Sequence, residues 1–195
     1  MQRRRDPVKV FDFDNTIYRG ESSIDFSFSM IRHNKKILLY VPTILASLVK
    51  YKMCLLSKQQ LEDIINDFLG GVLEGSEDTQ ALIGRFWETH ADRLNKRILP
   101  LIGPDDVIMT ASPIILIDAV KDKLGTDNII GTELDLKQKR ITWFNFGDNK
   151  VKRYRERYGD KTIDAFFTDS YNDRDLMEIS KKVFIVKRGI PVRKR

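Results

Sequence analysis

Val8-Lys9-Val10-Phe11-Asp12-Phe13-Asp14-Asn15-Thr16 is the stretch that decides the fold of this chain. It begins with β-branched and aromatic residues, which predicts a buried strand. Its end carries two carboxylates, although burying an unpaired carboxylate is costly. Because side chains two residues apart on a strand share a face, we expect Asp12 and Asp14 to converge at the strand's carboxyl end. Open α/β sheets bind their ligands at that end.

Two converging carboxylates indicate two kinds of chemistry. They suit a hard divalent cation, most simply Mg²⁺. They also suit a division of labour in which one is a nucleophile and the other an acid and base. The alternative is that Asp12 and Asp14 only cap the following loop or helix. The motifs further along the chain decide between these interpretations.

The composition is that of one soluble globular domain of 195 residues, with no repeat and no low-complexity tract. Cys54 is the only cysteine, which excludes a disulfide framework within one chain and favours a reducing compartment. We therefore expect a cytoplasmic protein in which Cys54 is a small core residue. Asp12 interrupts the first apolar run too early for a secretory signal.

The net charge of +6 favours anionic partners. Basic residues are grouped at both ends of the chain and before an apolar segment: Arg3-Arg4-Arg5, Arg193-Lys194-Arg195, and Arg32, His33, Lys35 and Lys36. Solvated basic surface is the simplest interpretation of these groups. The alternatives are an anionic membrane surface and nucleic acid.

The most hydrophobic segment is Ile37 to Val49, which is too short to span a bilayer and contains Pro42. It is either a helix buried within the domain or an interfacial segment whose flanking lysines contact head groups. The second interpretation would place the protein at the periphery of the inner membrane.

The rest of residues 22–99 predicts helices without strands. One begins near Ser22 or Ser23, either of which can cap it. A second begins at Ser57 with Gln60 in a capping box and ends at Gly70-Gly71, and a third covers Ser76 to Ile98. We interpret residues 22–99 as a helical cap inserted after the first strand. Residues 1–21 and 100–195 then form the catalytic core.

Strands and helices alternate in the second half of the chain. This order predicts an α/β fold with a mostly parallel, Rossmann-like sheet and helices on both faces. Strands are expected near 107–110, 128–130, 163–168 and 183–186 (the last strand), a hairpin over 133–136 and 140–144, and helices over 114–124, 149–158 and 173–180.

Three further polar motifs accompany these elements. Thr110 ends the second strand, Lys150 lies at a predicted helix start, and Asp169 ends a later strand with Asp173 four residues on. Together with Asp12-Phe13-Asp14-Asn15-Thr16, these motifs resemble those of the haloacid dehalogenase-like (HAD) superfamily, in its phosphoserine-phosphatase-like branch. The resemblance covers the sheet-forming part, whereas the cap matches by placement and helical character.

This resemblance implies a magnesium-dependent phosphomonoester hydrolase. Asp12 would attack phosphorus to form an aspartyl-phosphate, and Asp14 would act first as acid and then as base. Thr110 and Lys150 would hold the phosphoryl oxygens as charge develops. Lys152 is the alternative to Lys150, and Thr110 is alternatively an ordinary residue at a strand end.

The resemblance also implies the metal ligands. Asp12 and Asp169 would bind Mg²⁺ through their side chains and Asp14 through its backbone carbonyl, with Asp173 supporting the metal or its waters. Asp173 is alternatively the N-cap of the next helix.

The expected substrate-binding residues are Thr110, Ala111, Lys150 and Glu21. Glu21 matches the cap-edge glutamate that binds the substrate ammonium in phosphoserine phosphatases, or it only lies near a helix N-terminus. Ala111-Ser112-Pro113 replaces the two glycines usual in those enzymes, which disfavours phosphoserine as substrate. Thr168 stands where many family members have glycine.

A weaker likeness links the chain to bacterial HAD-type phosphatidylglycerophosphate phosphatases. It rests on the proline-containing apolar segment, on Gly147-Asp148-Asn149-Lys150-Val151 and on Thr168-Asp169-Ser170. The favoured hypothesis is therefore a phosphatase for a phosphorylated lipid head group. A phosphatase for a soluble metabolite is the second hypothesis. A non-enzymatic module that binds membrane or nucleic acid is disfavoured by the intact motifs.

Overall fold

The computed structural model describes residues 8–31, 35, 37–53, 55–73 and 79–194. Within these ranges the chain forms seven strands: β1 Lys9–Asp12, β2 Val107–Pro113, β3 Ile129–Asp135, β4 Arg140–Trp143, β5 Ala165–Thr168, β6 Val183–Lys187 and β7 Ile190–Arg193. The same ranges contain seven α-helices: α1 Ser22–Met30, α2 Ile37–Lys52, α3 Lys58–Leu73, α4 Thr79–His90, α5 Ile114–Asp118, α6 Asp148–Tyr158 and α7 Arg174–Glu178. The predictions for Cys54, for Arg3 to Arg5 and for Arg32, His33 and Lys36 lie outside the described residues.

The strands form one sheet in the order β4-β3-β2-β1-β5-β6-β7. β1 lies at its centre and is parallel to both neighbours, with Val10 opposite Val107 and Lys9 opposite Ala165. Among the described strands, only the edge strands β4 and β7 run antiparallel to their neighbours. The predicted mostly parallel, Rossmann-like sheet is therefore confirmed, and it places Asp12 between two strand ends.

Helices cover both faces of the sheet, as predicted. Along β1, Val10 packs in a cluster with Tyr154 of α6 and Leu176 of α7. Phe11 points to the opposite face, where its cluster includes α4 and α5 residues such as Trp87 and Leu116. Because strand side chains alternate, Asp12 shares the face of Val10 and therefore points toward α6.

Helices α1 to α4 are the elements between β1 and β2, and no strand occurs in the described part of that region. The ring of Trp87 on α4 packs edge-on against Phe13 and Tyr18, with centroids 6.3 and 5.6 Å apart. Its indole N–H donates a 2.7 Å hydrogen bond to the Leu116 carbonyl. α4 is thus part of the core that surrounds β1. The division between cap and core at 21/22 and 99/100 stays a prediction.

The start of α3 agrees with the sequence and its end does not. The Ser57 N–H donates to Gln60 Oε1 at 2.8 Å, and the Gln60 N–H donates to Ser57 Oγ at 3.2 Å, which is the predicted capping box. The prediction that Gly70-Gly71 ends the helix is wrong, because α3 continues to Leu73. Each glycine costs about 1 kcal/mol of helix propensity, which tertiary context can override.

Several other predicted elements differ in extent. The helix predicted over Ser76 to Ile98 ends at His90. The chain then turns so that the Asn95 N–H can donate to the Ile17 carbonyl at 2.7 Å. A strand at 128–130 and the first strand of a hairpin at 133–136 were predicted as separate elements. They form one continuous strand, β3.

Helix α2 is neither fully buried nor a membrane span. Tyr40 packs edge-on against Phe68 of α3, with ring centroids 6.0 Å apart. Leu38 and Leu39 are 53% and 77% exposed, which excludes complete burial of the segment against the other cap helices. Among the described helices, none combines the length and the hydrophobicity needed to cross a bilayer.

The sheet has one more strand than the sequence predicted. Val183 to Val186 was expected to be the last strand, but β7 follows after the two-residue turn Arg188-Gly189. Both turn residues have positive φ, at 50° and 75°, as a type I′ hairpin requires. Pro191 is tolerated because β7 is an edge strand, and Arg193 belongs to β7 rather than to a basic tail.

Candidate active site

Asp12 is buried at the end of β1 and faces a lysine. Lys150 Nζ lies 2.9 Å from Asp12 Oδ1 and 2.8 Å from Asp173 Oδ1. Burial raises the pKa of Asp12 well above its usual range; Lys150 opposes that change, and the negative charges of Asp173 and Asp14 add to it. Asp12, at the end of β1, therefore lies in a site where negative charges outnumber positive ones.

Lys150 reaches this position from the first turn of α6. Burial alone would lower the pKa of Lys150, but the carboxylates of Asp12 and Asp173 raise it, so the side chain is a cation. Lys152, the alternative at sequence level, is 60% exposed and pairs with Asp148 at 2.6 Å. The structure thus brings Lys150 and not Lys152 to Asp12.

Asp14 lies in the loop after β1 and accepts four hydrogen bonds. Its Oδ1 accepts from the backbone N–H and the hydroxyl of Ser22, both at 2.6 Å. Its Oδ2 accepts from Ser112 Oγ at 2.7 Å and from Thr110 Oγ1 at 3.3 Å. Asp14 is therefore held between the N-terminus of α1 and the end of β2.

The end of β2 departs from regular strand geometry, with a register shift between Met109 and Pro113 against β3. Such irregularities re-aim side chains next to active sites. Gly131 of β3 allows the close approach, because a Cβ there would lie 2.9 Å from the Ser112 carbonyl oxygen and 3.1 Å from Thr110 Cγ2. β3 thus fixes the segment that supplies Thr110 and Ser112.

Two buried side chains hold the backbone of this segment. Asn145 Nδ2 donates to the Thr110 carbonyl at 2.8 Å, and Thr132 Oγ1 donates to the Ala111 carbonyl at 2.6 Å. The Asn145 N–H in turn donates to Thr132 Oγ1 at 3.1 Å. Thr110 and Ala111 are therefore positioned from two neighbouring segments of the sheet.

Asp169 and Asp173 follow β5. Burial raises the pKa of Asp169; a backbone hydrogen bond opposes this rise, and the negative charge of Asp173 adds to it. Asp173 accepts a 3.2 Å hydrogen bond from Thr168 Oγ1, so the threonine supplies a donor that glycine would lack. Asp173 is the N-cap residue of α7, but its side chain makes no capping hydrogen bond. Its carboxylate is turned to Lys150 instead.

The carboxylate oxygens gathered here are ligands of the kind that Mg²⁺ binds. Four carboxylates interact here, those of Asp12, Asp14, Asp169 and Asp173, against the single cation Lys150. Within the described ranges, no three His, Cys, Asp or Glu side chains are arranged to hold a metal ion. Mg²⁺ does not need such a cage, because it is usually bound through one or two carboxylates and keeps several waters.

Glu21 lies near Asp14, at the start of α1. It is exposed at the N-terminus of α1, and its Oε1 accepts a 2.8 Å hydrogen bond from Asn15 Nδ2. Asn15 adopts φ 55° in the loop after β1, a conformation that asparagine tolerates better than most residues. Glu21, Asp14 and Ala111 border one cavity.

The sequence analysis missed the roles of Ser22 and Ser112. Ser22 was considered only as the start of a helix, and Ser112 only as a departure from a glycine pair. The two hydroxyls lie 3.1 Å apart, and Ser23 Oγ donates to Ser112 Oγ at 2.7 Å. The only available signal was a serine in each of these two segments, and it does not reveal a contact between residues 90 positions apart.

An open parallel sheet with acidic residues at the ends of its central strands, and a lysine between them, defines an enzyme core of the Rossmann-like type. The sequence match is more specific: residues 10–178 match the family model of the haloacid dehalogenase-like hydrolases. The chain therefore belongs to that family, and the predicted HAD-like hydrolase is confirmed.

Solved structures share this fold at low sequence identity. A protein of unknown function from Bordetella pertussis Tohama I is 18% identical, with a TM-score of 0.72 over 91% of this chain and 88% of that one. A phosphoserine phosphohydrolase-like protein from Francisella tularensis is 18% identical, with a TM-score of 0.63 over 94% and 88%. A phospho-aspartyl intermediate analogue of phosphoserine phosphatase is 13% identical, with a TM-score of 0.51 over 93% and 87%. These likenesses show that the chain shares its fold with phosphoserine-phosphatase-like structures.

Proposed function

We propose that this protein is a magnesium-dependent phosphomonoesterase that works through an aspartyl-phosphate. One observation carries the proposal: two carboxylates only two residues apart have different surroundings. Asp12 faces the Lys150 ammonium at 2.9 Å. Asp14 is instead fixed by the backbone N–H and hydroxyl of Ser22 on α1 and by hydroxyls at the end of β2. Two carboxylates in different surroundings suit two different catalytic roles.

In the first step, an Asp12 carboxylate oxygen attacks phosphorus and the bond from phosphorus to the ester oxygen breaks. Asp14 gives its proton to that departing oxygen, so an alcohol leaves. In the second step, Asp14 takes a proton from water as the water oxygen attacks phosphorus. The bond from Asp12 to phosphorus then breaks, and inorganic phosphate leaves. The hydrogen bonds from Ser22 and Ser112 keep Asp14 in place through both steps.

Charge neutralisation is the second requirement, because a dianionic phosphate repels Asp12. Mg²⁺ held by the side chains of Asp12 and Asp169 and the backbone carbonyl of Asp14 would offset that repulsion and polarise the phosphoryl group. Lys150 is a buried cation beside the nucleophile and Thr110 a hydroxyl beside the acid, so both are placed to bind phosphoryl oxygens. Asp173 pairs with Lys150 at 2.8 Å and would support the metal or its waters.

The proposed substrate is a phosphorylated lipid head group approached at a membrane surface. Support comes from the exposed Leu38 and Leu39 on α2 and from the exposed lysines Lys35 and Lys50 near its ends. Apolar side chains bracketed by lysines suit the interface of an anionic bilayer. The second candidate is a soluble phosphate monoester with an ammonium group, which the position of Glu21 at the cap edge favours.

The experiment is a phosphatase assay over a panel that includes p-nitrophenyl phosphate, phosphoserine and phosphatidylglycerophosphate in vesicles. We expect phosphate release with Mg²⁺, loss of release after EDTA and recovery when Mg²⁺ is restored. Activity that persists in metal-free buffer would contradict the proposed requirement for Mg²⁺. Faster turnover of phosphoserine than of the lipid would favour the soluble substrate.

A further inference from the structure

A cavity of about 260 Å³ begins at Asp14 and extends under the cap helices. Its walls come from α1, α2 and α3 on one side and from the end of β2 and the β3–β4 hairpin on the other. Most of its lining is aliphatic or aromatic, including Phe26, Ile44, Ile65, Phe68, Leu134 and Phe144. The volume is close to the lower end of the roughly 300–1,000 Å³ that is usual for small-molecule sites.

The position of the cavity assigns it to one part of the substrate. Asp14 donates the proton to the leaving oxygen in the proposed reaction, so the leaving alcohol must lie on the Asp14 side. Asp14, Ala111 and Ser112 all border the cavity, whereas Lys150 and Asp173 lie on the other side of Asp12, toward α6. The cavity therefore receives the alcohol and not the phosphoryl group.

The chemistry of the walls restricts the alcohol. The charged residues among the described lining are Asp14 and Glu21, both anionic and both at the catalytic end. The described lining contains no lysine or arginine to pair with a carboxylate or with a second phosphate. Beyond Ser23 and Ser27, the walls offer little to a hydroxylated sugar. Burying polar groups against such walls costs free energy, whereas burying methylenes gains it.

We propose that this cavity binds an unbranched apolar chain on the leaving alcohol, so that the substrate is a phosphate monoester of an amphiphile. The proposal rests on the proposed reaction and narrows its substrate. It places an apolar chain next to the ester oxygen, whereas a head group joined through a phosphodiester would bring a second phosphate against these walls. The phosphate stays at Asp12, the ester oxygen lies at Asp14, and the chain extends between Phe26 of α1 and Phe144 after β4.

The test is a series of n-alkyl phosphates from ethyl to dodecyl, assayed as monomers with Mg²⁺. Each added methylene should raise kcat/KM about three- to fourfold, until the chain fills the cavity and the rise stops. The same esters are then assayed after dilution into vesicles. Turnover faster in vesicles than in solution would indicate that the substrate is a membrane lipid, and equal turnover would indicate a soluble ester. A kcat/KM that is independent of chain length would overturn the proposal.

A filling variant and a matched control locate the effect. Ile65→Trp puts a larger side chain into the cavity and should lower kcat/KM for decyl phosphate at least tenfold more than kcat/KM for ethyl phosphate. Ile64→Trp is the control, because Ile64 is the adjacent half-buried residue of α3 and lies outside the lining. Equal losses in both variants would assign the effect to α3 stability and contradict the proposal.

Binding without turnover keeps the two proposals separate. Calorimetric titration of Asp12→Asn with decyl and ethyl phosphate should show at least hundredfold tighter binding of the decyl ester. If the variant shows that preference while the wild type hydrolyses neither ester in the presence of Mg²⁺, the proposed function is overturned and the cavity assignment stands. Hydrolysis of short esters by the wild type, with no preference for longer chains, would support the proposed function and overturn the cavity assignment.

Discussion

The two walls of the site are built in different ways. The core wall is polar, buried and joined by contacts between distant parts of the chain: Asp12 and Lys150 are 138 residues apart, and Ser22 and Ser112 are 90 apart. The cap wall is mostly apolar; it combines α1, α2 and α3 with the end of β2 and the β3–β4 hairpin, and the outer residues Leu38 and Leu39 of α2 are exposed. In the proposed function, the first wall would carry the reaction and the second would select the substrate.

The largest expected effect follows from removing either carboxylate of the first motif. Asp12→Asn removes the nucleophile and Asp14→Asn removes the proton donor, so each should lower kcat by roughly 10⁴-fold or more. Circular dichroism should show an intact fold. Asp118→Asn is the control, because Asp118 is an exposed aspartate on α5 and should keep wild-type activity. A few per cent of activity in either first-motif variant would contradict the assigned roles.

A smaller loss is expected when the carboxylate stays and its support is removed. Ser112→Ala deletes the 2.7 Å hydrogen bond to Asp14 Oδ2. Hydrogen bonds to charged groups contribute about 1.5–3 kcal/mol, so kcat should fall roughly ten- to hundredfold with less change in KM. Ser29→Ala on α1 is the matched control, since its hydroxyl donates only to the Phe26 carbonyl. An unchanged kcat in Ser112→Ala would show that this hydrogen bond is not needed to position Asp14 for catalysis.

The charge of the core wall should make stability depend on pH. The raised pKa of Asp12 means that the folded state binds the Asp12 proton more tightly than the unfolded state does. In metal-free buffer that contribution to stability is fully present below the ordinary aspartate pKa. It is lost as the pH rises through the raised pKa, because the folded state then holds a buried carboxylate among other carboxylates. Between those two pKa values the free energy of unfolding should fall by up to about 1.4 kcal/mol for each increase of one in pH.

Thermal melts of the metal-free protein between pH 8 and pH 5 measure this effect. The unfolding midpoint of the wild type should rise relative to that of Asp12→Asn as the pH is lowered. Added Mg²⁺ should flatten the difference by offsetting the repulsion. A difference that grows toward high pH would contradict the assigned charge state.

The smallest effect is expected at the outer face of the cap wall. Replacing Leu38 and Leu39 with serine should reduce co-sedimentation with anionic vesicles several-fold, because their apolar area would no longer enter the interface. Hydrolysis of a small soluble ester should not change. Ile190→Ser with Val192→Ser, two exposed apolar residues of β7, should leave vesicle binding as it is. Wild-type protein that stays in the supernatant at low salt would contradict the membrane proposal.

The elements that the sequence predicted well are those with local signals. β1, the capping box at Ser57 and the helix carrying Lys150 each have their pattern within a few residues. The buried residues Leu82, Ile83, Phe86 and Trp87 of α4 recur at helical spacing, which is a local pattern of the same kind. Local patterns were therefore sufficient for most of the fold and for four motifs of the site.

The errors have physical reasons of another kind. β7 was missed because Pro191 and Arg193 are typical of a solvated tail, and only the pairing with β6 makes this segment a strand. The glycines of α3 were given too much weight as helix ends. Ser22 and Ser112 acquire their role only when α1 is brought to the end of β2, which no local pattern encodes.

The central position of β1 has a consequence for the order in which the protein folds. Its partners β2 and β5 pair with it across long intervals of chain, Val10 with Val107 and Lys9 with Ala165. Non-local pairings of this kind slow folding, because the intervening chain must lose entropy before the contacts form. Helices α1 to α4 can begin to form from local contacts while β1 still waits for both neighbours. Asp12 therefore reaches its place only when both of these non-local pairings have formed.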